Sequence, residues 1–250
     1  MIVRALALLT VAAWSLAAAA VAPDYAREAR WADEVAPQVV VGDVVWLVLA
    51  DRPRVLALYT VSAGKAKGAV VVVHGLGVHP DWGLNGVLRS ELADRGYATL
   101  SVQMPVLAAE AARDDYAGLY ADAADRIAAA VAWLRSKGYT HVALVSHSLG
   151  AAMADTYFTR RPAAVDAWVP VGMLVEFSTP PHAPVLDVVA AYDIPAAIAS
   201  AKRRRTALPR DGCSAAVTIG GTDHYFEKAT TPLADAAAAF FDRVFAGRCR

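Results

Sequence analysis

The chain has 250 residues, enough for one sizeable core without calling for a second domain. Hydrophobic residues make up 57%, charged residues 19%, and the formal net charge is zero, so the electrostatic footprint of a nucleic-acid binder is missing. These values argue against a polyanionic partner and for an alanine-rich globular protein.

At the start, Arg4 supplies a short basic region, Ala5 to Ala20 form an apolar run, and Ala18 and Ala20 are the small residues that signal peptidase requires. Residues 1–20 are therefore expected to be an export signal cleaved after Ala20, leaving 21–250 as one domain in a periplasmic or secreted protein. A retained anchor is the alternative, because the run approaches the roughly 20 apolar residues of a membrane span; membrane association is expected only in that case. Cys213 and Cys249 both fall in the exported part, where an oxidising compartment favours pairing. Such a bridge ties the C-terminal helix to the last strand and contributes roughly 4 kcal/mol in the chain-entropy account. Two unpaired thiols are the other possibility.

Next, "VVVGDVVWLVLAD" and "RVLALYTV" read as strands joined by a tight turn at Asp51 to Pro53, an antiparallel opening pair. The pattern then alternates. "GAVVVVHG", "YATLSVQMP", "HVALVSHS", "VDAWVPVGML", "PVLDVVAAYD" and "CSAAVTIGG" read as strands. "LNGVLRSELADRG", "YADAADRIAAAVAWLRSKG", "GAAMADTYFTR", "AAIASAKRRRTAL" and "PLADAAAAFFDRVFAG" read as helices between and around them. Strands apolar on both faces require helices on both sides, so the expected fold is a three-layer α/β/α sandwich around a mostly parallel sheet of about eight strands. The basic run Lys202 to Arg205 is expected on the solvent face of its helix.

The stretch "VALVSHSLGAAMAD" delivers two serines into a turn between strand and helix. A nucleophile there needs small residues two before and two after it, where the turn crowds. For Ser148 these are Ser146 and Gly150; for Ser146 they would be Leu144 and Ser148, and Leu144 is too bulky. Ser148 is the candidate, although the elbow pattern Gly-x-Ser-x-Gly has Ser146 in place of its first glycine. An ordinary serine at a helix start is the plain alternative.

"VVVVHGLG", residues 70–77, with "SHSLG", residues 146–150, resembles the α/β-hydrolase superfamily. "HGLGVHPDW", "YATLSVQMPV" and "GTDHYF" are further similar to a bacterial group of exported α/β-hydrolase-like proteins whose substrates are largely uncharacterised. The resemblance implies the order Ser, acid, His along the chain. After Ser148 the histidines are His182 and His224; His224 lies directly beyond the last strand, whereas His182 precedes a strand and belongs at the opposite edge of the sheet. Asp193, where the chain leaves a strand, is the expected acid, with Asp187 its rival and Asp223 turned away from the ring. The resemblance places the oxyanion between backbone N–H groups, assigned to Leu76 in "HGLG" and to His147 beside the serine.

His74 is expected to order its loop or reach a pocket, His79 to stand at a pocket rim, Trp82 to wall an acyl pocket or anchor the loop as an aromatic, and Tyr116 and Tyr120 either to face the entrance or to pack on one helix face. His74, His79 and Asp81 lack a zinc spacing, and Gly75, Gly77 and Gly83 do not form a dinucleotide fingerprint. No cofactor and no metal are expected. Only "VEFSTPPHAP" separates two late strands, too short for a large lid. The expected activity is carboxylic ester hydrolysis through an acyl-enzyme on a small-molecule ester or amide. The same residues allow a peptidase, amidase or acyltransferase, and a non-catalytic envelope binding protein on this scaffold is the alternative from another class.

Overall fold

In a computed structural model describing residues 21–161 and 165–249, the valine- and alanine-rich runs become strands. They are β1 (Asp43–Leu47), β2 (Val55–Thr60), β3 (Gly68–Val73), β4 (Tyr97–Val102), β5 (Val142–His147), β6 (Ala167–Val171), β7 (Leu186–Tyr192) and β8 (Ala215–Asp223). One sheet holds them in the order β1-β2-β4-β3-β5-β6-β7-β8. β1 and β2 run antiparallel to their neighbours and the other pairings are parallel. The expected export signal, residues 1–20, lies outside the described residues.

The helices are α1 (Tyr25–Val35), α2 (Gly83–Asp94), α3 (Tyr120–Ser136), α4 (Leu149–Arg160), α5 (Pro195–Arg204) and α6 (Thr230–Phe245). Because strand side chains alternate, β3 sends Val71 and Val73 to one face and Val70 and Val72 to the other. The first face packs on Ile127 and Leu134 of α3 and Met153 and Tyr157 of α4. The second packs on Leu88 and Leu92 of α2 and Phe240 and Phe241 of α6. This is the three-layer sandwich, and between β6 and β7 only a short loop stands where a large lid would be inserted. Among the described residues, no helix is long and apolar enough to cross a membrane.

The Cys213–Cys249 disulfide ties the segment before β8 to the segment that follows α6. Two departures from the sequence reading concern charge and α1. The run Lys202 to Arg205 is not uniformly solvent-facing: Arg204 is 1% exposed and pairs with Asp187 at 2.8 Å. It also donates to the carbonyls of Met173 and Val175, so four acceptors compensate its burial. Helix α1 has no counterpart among the expected elements because only Ala32 and Val35 of its residues are buried, too few for a clear apolar stripe. Its visible signal is Asp24, whose carboxylate caps the helix by accepting from the Arg27 N–H at 2.9 Å.

The strand order places the site. β3 is followed by β4 on one side and β5 on the other, so the chain reverses its winding direction at β3, and the carboxyl ends of β3 and β5 flank an open crevice. Loops leaving β3, β5, β6, β7 and β8 all emerge at that edge.

Candidate active site

Ser148 stands between β5 and α4 with φ 55° and ψ −119°, a conformation costly for a residue with a side chain. Its N–H donates to the Val171 carbonyl at 2.8 Å, which helps hold the turn. Gly150, the small residue two positions on, is required sterically: a Cβ there would lie 2.3 Å from the His74 carbonyl oxygen. Ser146, the departure from the glycine pattern, has its own reason. Its Oγ accepts from the indole N–H of Trp168 at 2.8 Å, and Trp168 is fully buried, so glycine would leave that donor unpaired.

Three side chains from distant parts of the chain meet here. His224, just past β8, lies with Nε2 2.9 Å from Ser148 Oγ and Nδ1 2.6 Å from Asp193 Oδ1. Asp193, just past β7, also accepts from the backbone N–H groups of Ala190 and Ile194. Burial pushes its carboxyl toward the neutral acid, but the His224 contact and these amide donors outweigh that and hold it below the usual carboxylate range. A carboxylate accepting at Nδ1 leaves Nε2 to face the serine as an acceptor. Gly172, just past β6, takes φ 58°, and a Cβ at that position would come within 3.0 Å of the His224 ring and 3.4 Å of Asp193 Oδ2. The rival carboxylate Asp187 is instead locked to Arg204, and His182 sits in the loop before β7, away from the serine.

The oxyanion assignment needs one correction. His147 is the last residue of β5 and precedes Ser148; the residue that follows the serine is Leu149, first of α4, whose N–H belongs to the orphan donors of a helix start. His147 contributes through its ring, which sequence reasoning missed: burial lowers its pKa to about 4, and its Nε2 donates to the His224 carbonyl at 2.8 Å. A neutral imidazole thus pins the His224 backbone. The loop carrying Leu76 lies alongside, with Gly75 so close that a Cβ would stand 3.2 Å from the Ser148 Cβ.

His74 is fully buried, with its pKa lowered by burial to about 3. Its Nδ1 donates to the Gly75 carbonyl and its Nε2 accepts from the Met104 N–H at 2.8 Å, so it orders the loop from below. Helix α1 holds the same loop from outside: Arg27 donates to the Gly77 and Leu107 carbonyls. Trp31, His79 and Trp82 then stack edge to face in a row, with ring centroids 5.7 and 5.6 Å apart. Asp81, which neighbours His79 in sequence, is paired with Arg89 at 2.8 Å.

Above Ser148 lies a cavity of about 300 Å³ walled by Leu76, Val78, Trp82, Leu149, Leu174 and Ile194. Of the residues expected at a pocket, Trp82 lines it, whereas His74, His79, Tyr116 and Tyr120 do not. Tyr116 is buried, and its hydroxyl accepts from the Leu107 N–H; Tyr120 packs against the core, which is the helix-face reading of that pair. Arg113, also on the cavity wall, was not among the sequence candidates.

Residues 70–248 match the alpha/beta hydrolase family, and the chain belongs to that family. Residues 4–121 also match a family described as a protein of unknown function (DUF3530). No curated protein sequence matches the chain significantly. Among solved structures, dienelactone hydrolase from Anabaena variabilis is 24% identical, with a TM-score of 0.67 over 80% of this chain and 96% of that one. Est1E from Butyrivibrio proteoclasticus is 14% identical, with a TM-score of 0.62 over 81% of this chain and 99% of that one. An α/β serine hydrolase without a lid from Xanthomonas campestris is 15% identical, with a TM-score of 0.64 over 82% and 95%. At these identities the likenesses speak for the fold.

Proposed function

We propose that the protein is a serine hydrolase that cleaves carboxylic esters through an acyl-enzyme. The observation that carries this reading is the position of the His224 ring, within hydrogen-bond distance of Ser148 Oγ on one side and Asp193 on the other. Ser148 Oγ attacks the ester carbonyl while His224 Nε2 takes its proton, and Asp193 stabilises the imidazolium that results. The tetrahedral oxyanion is met by the backbone N–H groups of Leu76 and Leu149, the latter favoured by the N-terminus of α4. On collapse, His224 returns the proton to the leaving alcohol; it then activates a water that attacks the acyl carbonyl and frees Ser148. The apolar cavity wall suits an acyl chain, and the lack of a large lid favours water over a second alcohol as acceptor.

Export of the protein is part of the same proposal: the Cys213–Cys249 bridge suits an oxidising compartment. The test is labelling of purified protein with a neutral fluorophosphonate probe, with the adduct mapped by mass spectrometry. Ser148 is expected to be labelled, and Ser148→Ala and His224→Ala to lower ester turnover by roughly 10⁴-fold or more. A folded protein that takes no label and hydrolyses no ester refutes the proposal.

A further inference from the structure

Arg113 opens a short 3-10 helix, Arg113–Leu119, in the segment between β4 and α3. Two aspartates follow it directly, yet among the described residues neither pairs with it. Asp115 turns back to accept from the Ala112 N–H at 2.8 Å, and Asp114 is exposed. The base of this turn is fixed by Tyr116, 2% exposed. The Arg113 side chain reaches the wall of the Ser148 cavity, and its Nε is buried without a hydrogen-bond partner. Among the described residues, the Arg113 side chain makes no hydrogen bond and no ion pair. Those arginines among the described residues that are withdrawn from water along their whole length, Arg89, Arg126 and Arg204, each hold a carboxylate, Arg126 doing so with its Nη2 unpartnered.

Arg113 is half-buried, with Nε desolvated and unanswered while its terminal nitrogens stay open at a mostly apolar wall; the unpaired buried donor costs free energy in the empty site. The arrangement becomes favourable when an anion enters, and the planar fork of donors matches a carboxylate. Glu227, the one acidic residue on the wall, is exposed and makes no pair with Arg113. The remaining wall, Leu76, Leu174 and Ile194 among it, supplies apolar contact but no second cation. We infer that Arg113 is a specificity-determining residue that selects esters carrying a second, negatively charged carboxylate. This rests on reading the Ser148 cavity as the substrate site. The carboxylate belongs either to the acyl part or to the alcohol part, and the two sources share the same recognition by Arg113.

The test uses the mature chain in a Ser148→Ala background, so that ligands bind without turnover, and reads dissociation constants by calorimetry. One arm compares monoethyl glutarate with its neutral isostere ethyl 5-oxohexanoate; the other compares 3-acetoxypropanoate with 4-acetoxy-2-butanone. In one arm the anion is expected to bind about tenfold or more tightly than its isostere, and the preference to shrink with added salt. Arg113→Gln is expected to abolish that preference, Arg113→Lys to retain part of it, and the distant Lys65→Gln to leave it intact. Equal binding of anion and isostere in both arms, or a preference that survives Arg113→Gln, overturns the inference. Should Arg113→Gln not fold, Arg113→Lys and the salt dependence decide in its place. Because the Ser148 hydroxyl is removed throughout, these outcomes are separate from fluorophosphonate labelling, which judges the hydrolase reading.

Discussion

Replacing Ser146 by glycine, which would restore the Gly-x-Ser-x-Gly string, is expected to damage the protein. The Ser146 Oγ accepts the Trp168 indole N–H at 2.8 Å, and both residues are fully buried. Ser146→Ala strands that donor away from water, at a cost of about 1–3 kcal/mol. Ser146→Gly adds the backbone entropy of a glycine inside a strand, about 0.5–1 kcal/mol beyond alanine. In a chain of this size about 1 kcal/mol lowers Tm by roughly 2–4 °C, so Ser146→Ala should melt several degrees early and Ser146→Gly earlier still. Thermal and urea unfolding with the disulfide intact measure both.

The cycle with Trp168→Phe isolates the cause, because that change removes the donor. In the Trp168→Phe background Ser146→Ala should cost much less, leaving a coupling energy of about 1–2 kcal/mol. A Ser146→Gly protein as stable as the parent, or a cost of Ser146→Ala that is undiminished when Trp168→Phe is also present, refutes the reasoning.

Three further outcomes are expected. Gly172→Ala places a methyl 3.0 Å from the His224 ring at a position with φ 58°, so ester turnover should fall about 100-fold or more while the fold survives; full activity would refute the close approach. Asp187→Ala leaves Arg204 buried and unpaired and should cost about 3–5 kcal/mol; Ser148 labelling should nonetheless persist in the folded fraction, whereas its loss would move the acid's role from Asp193 to Asp187. Stability should also decline as pH falls below 6.5. His74 and His147 are held neutral by burial, with pKa values of about 3 and about 4, while the unfolded chain takes up their protons from about 6.5 downward. Each contributes about 1.4 kcal/mol per pH unit in that window, so unfolding free energies at pH 7.5 and pH 5 should differ by roughly 2–4 kcal/mol; equal values would refute the assignment.

Apolar runs on the scale of single elements were legible without coordinates. Short runs of β-branched residues such as 70–73, bounded by glycines, read as strands covered on both faces, and their alternation with helical patterns specifies a mostly parallel sheet. The turn around Ser148 was legible for the same reason: crowding depends on neighbours two residues away. Where a single element carries a weak pattern the reading failed, as with α1, which buries little and acts through Arg27 and Trp31 on a loop far along the chain.

Partner choice was a tertiary matter throughout. His224 meets Ser148 across 76 positions and Asp193 across 31, and the only local distinction between Asp193 and Asp187 is that the chain leaves the strand at Asp193, which kept Asp187 a rival. The structure separates them by what stands opposite: a buried arginine for Asp187, an imidazole for Asp193. Arg113, followed by two aspartates, reads in sequence as a solvated charge; only the tertiary packing of its turn brings it to the cavity wall. Periodicity and turn chemistry act over a few residues and survive in the sequence. The surroundings of a charge are set by segments that meet only after the sheet has closed, and those the fold alone decided.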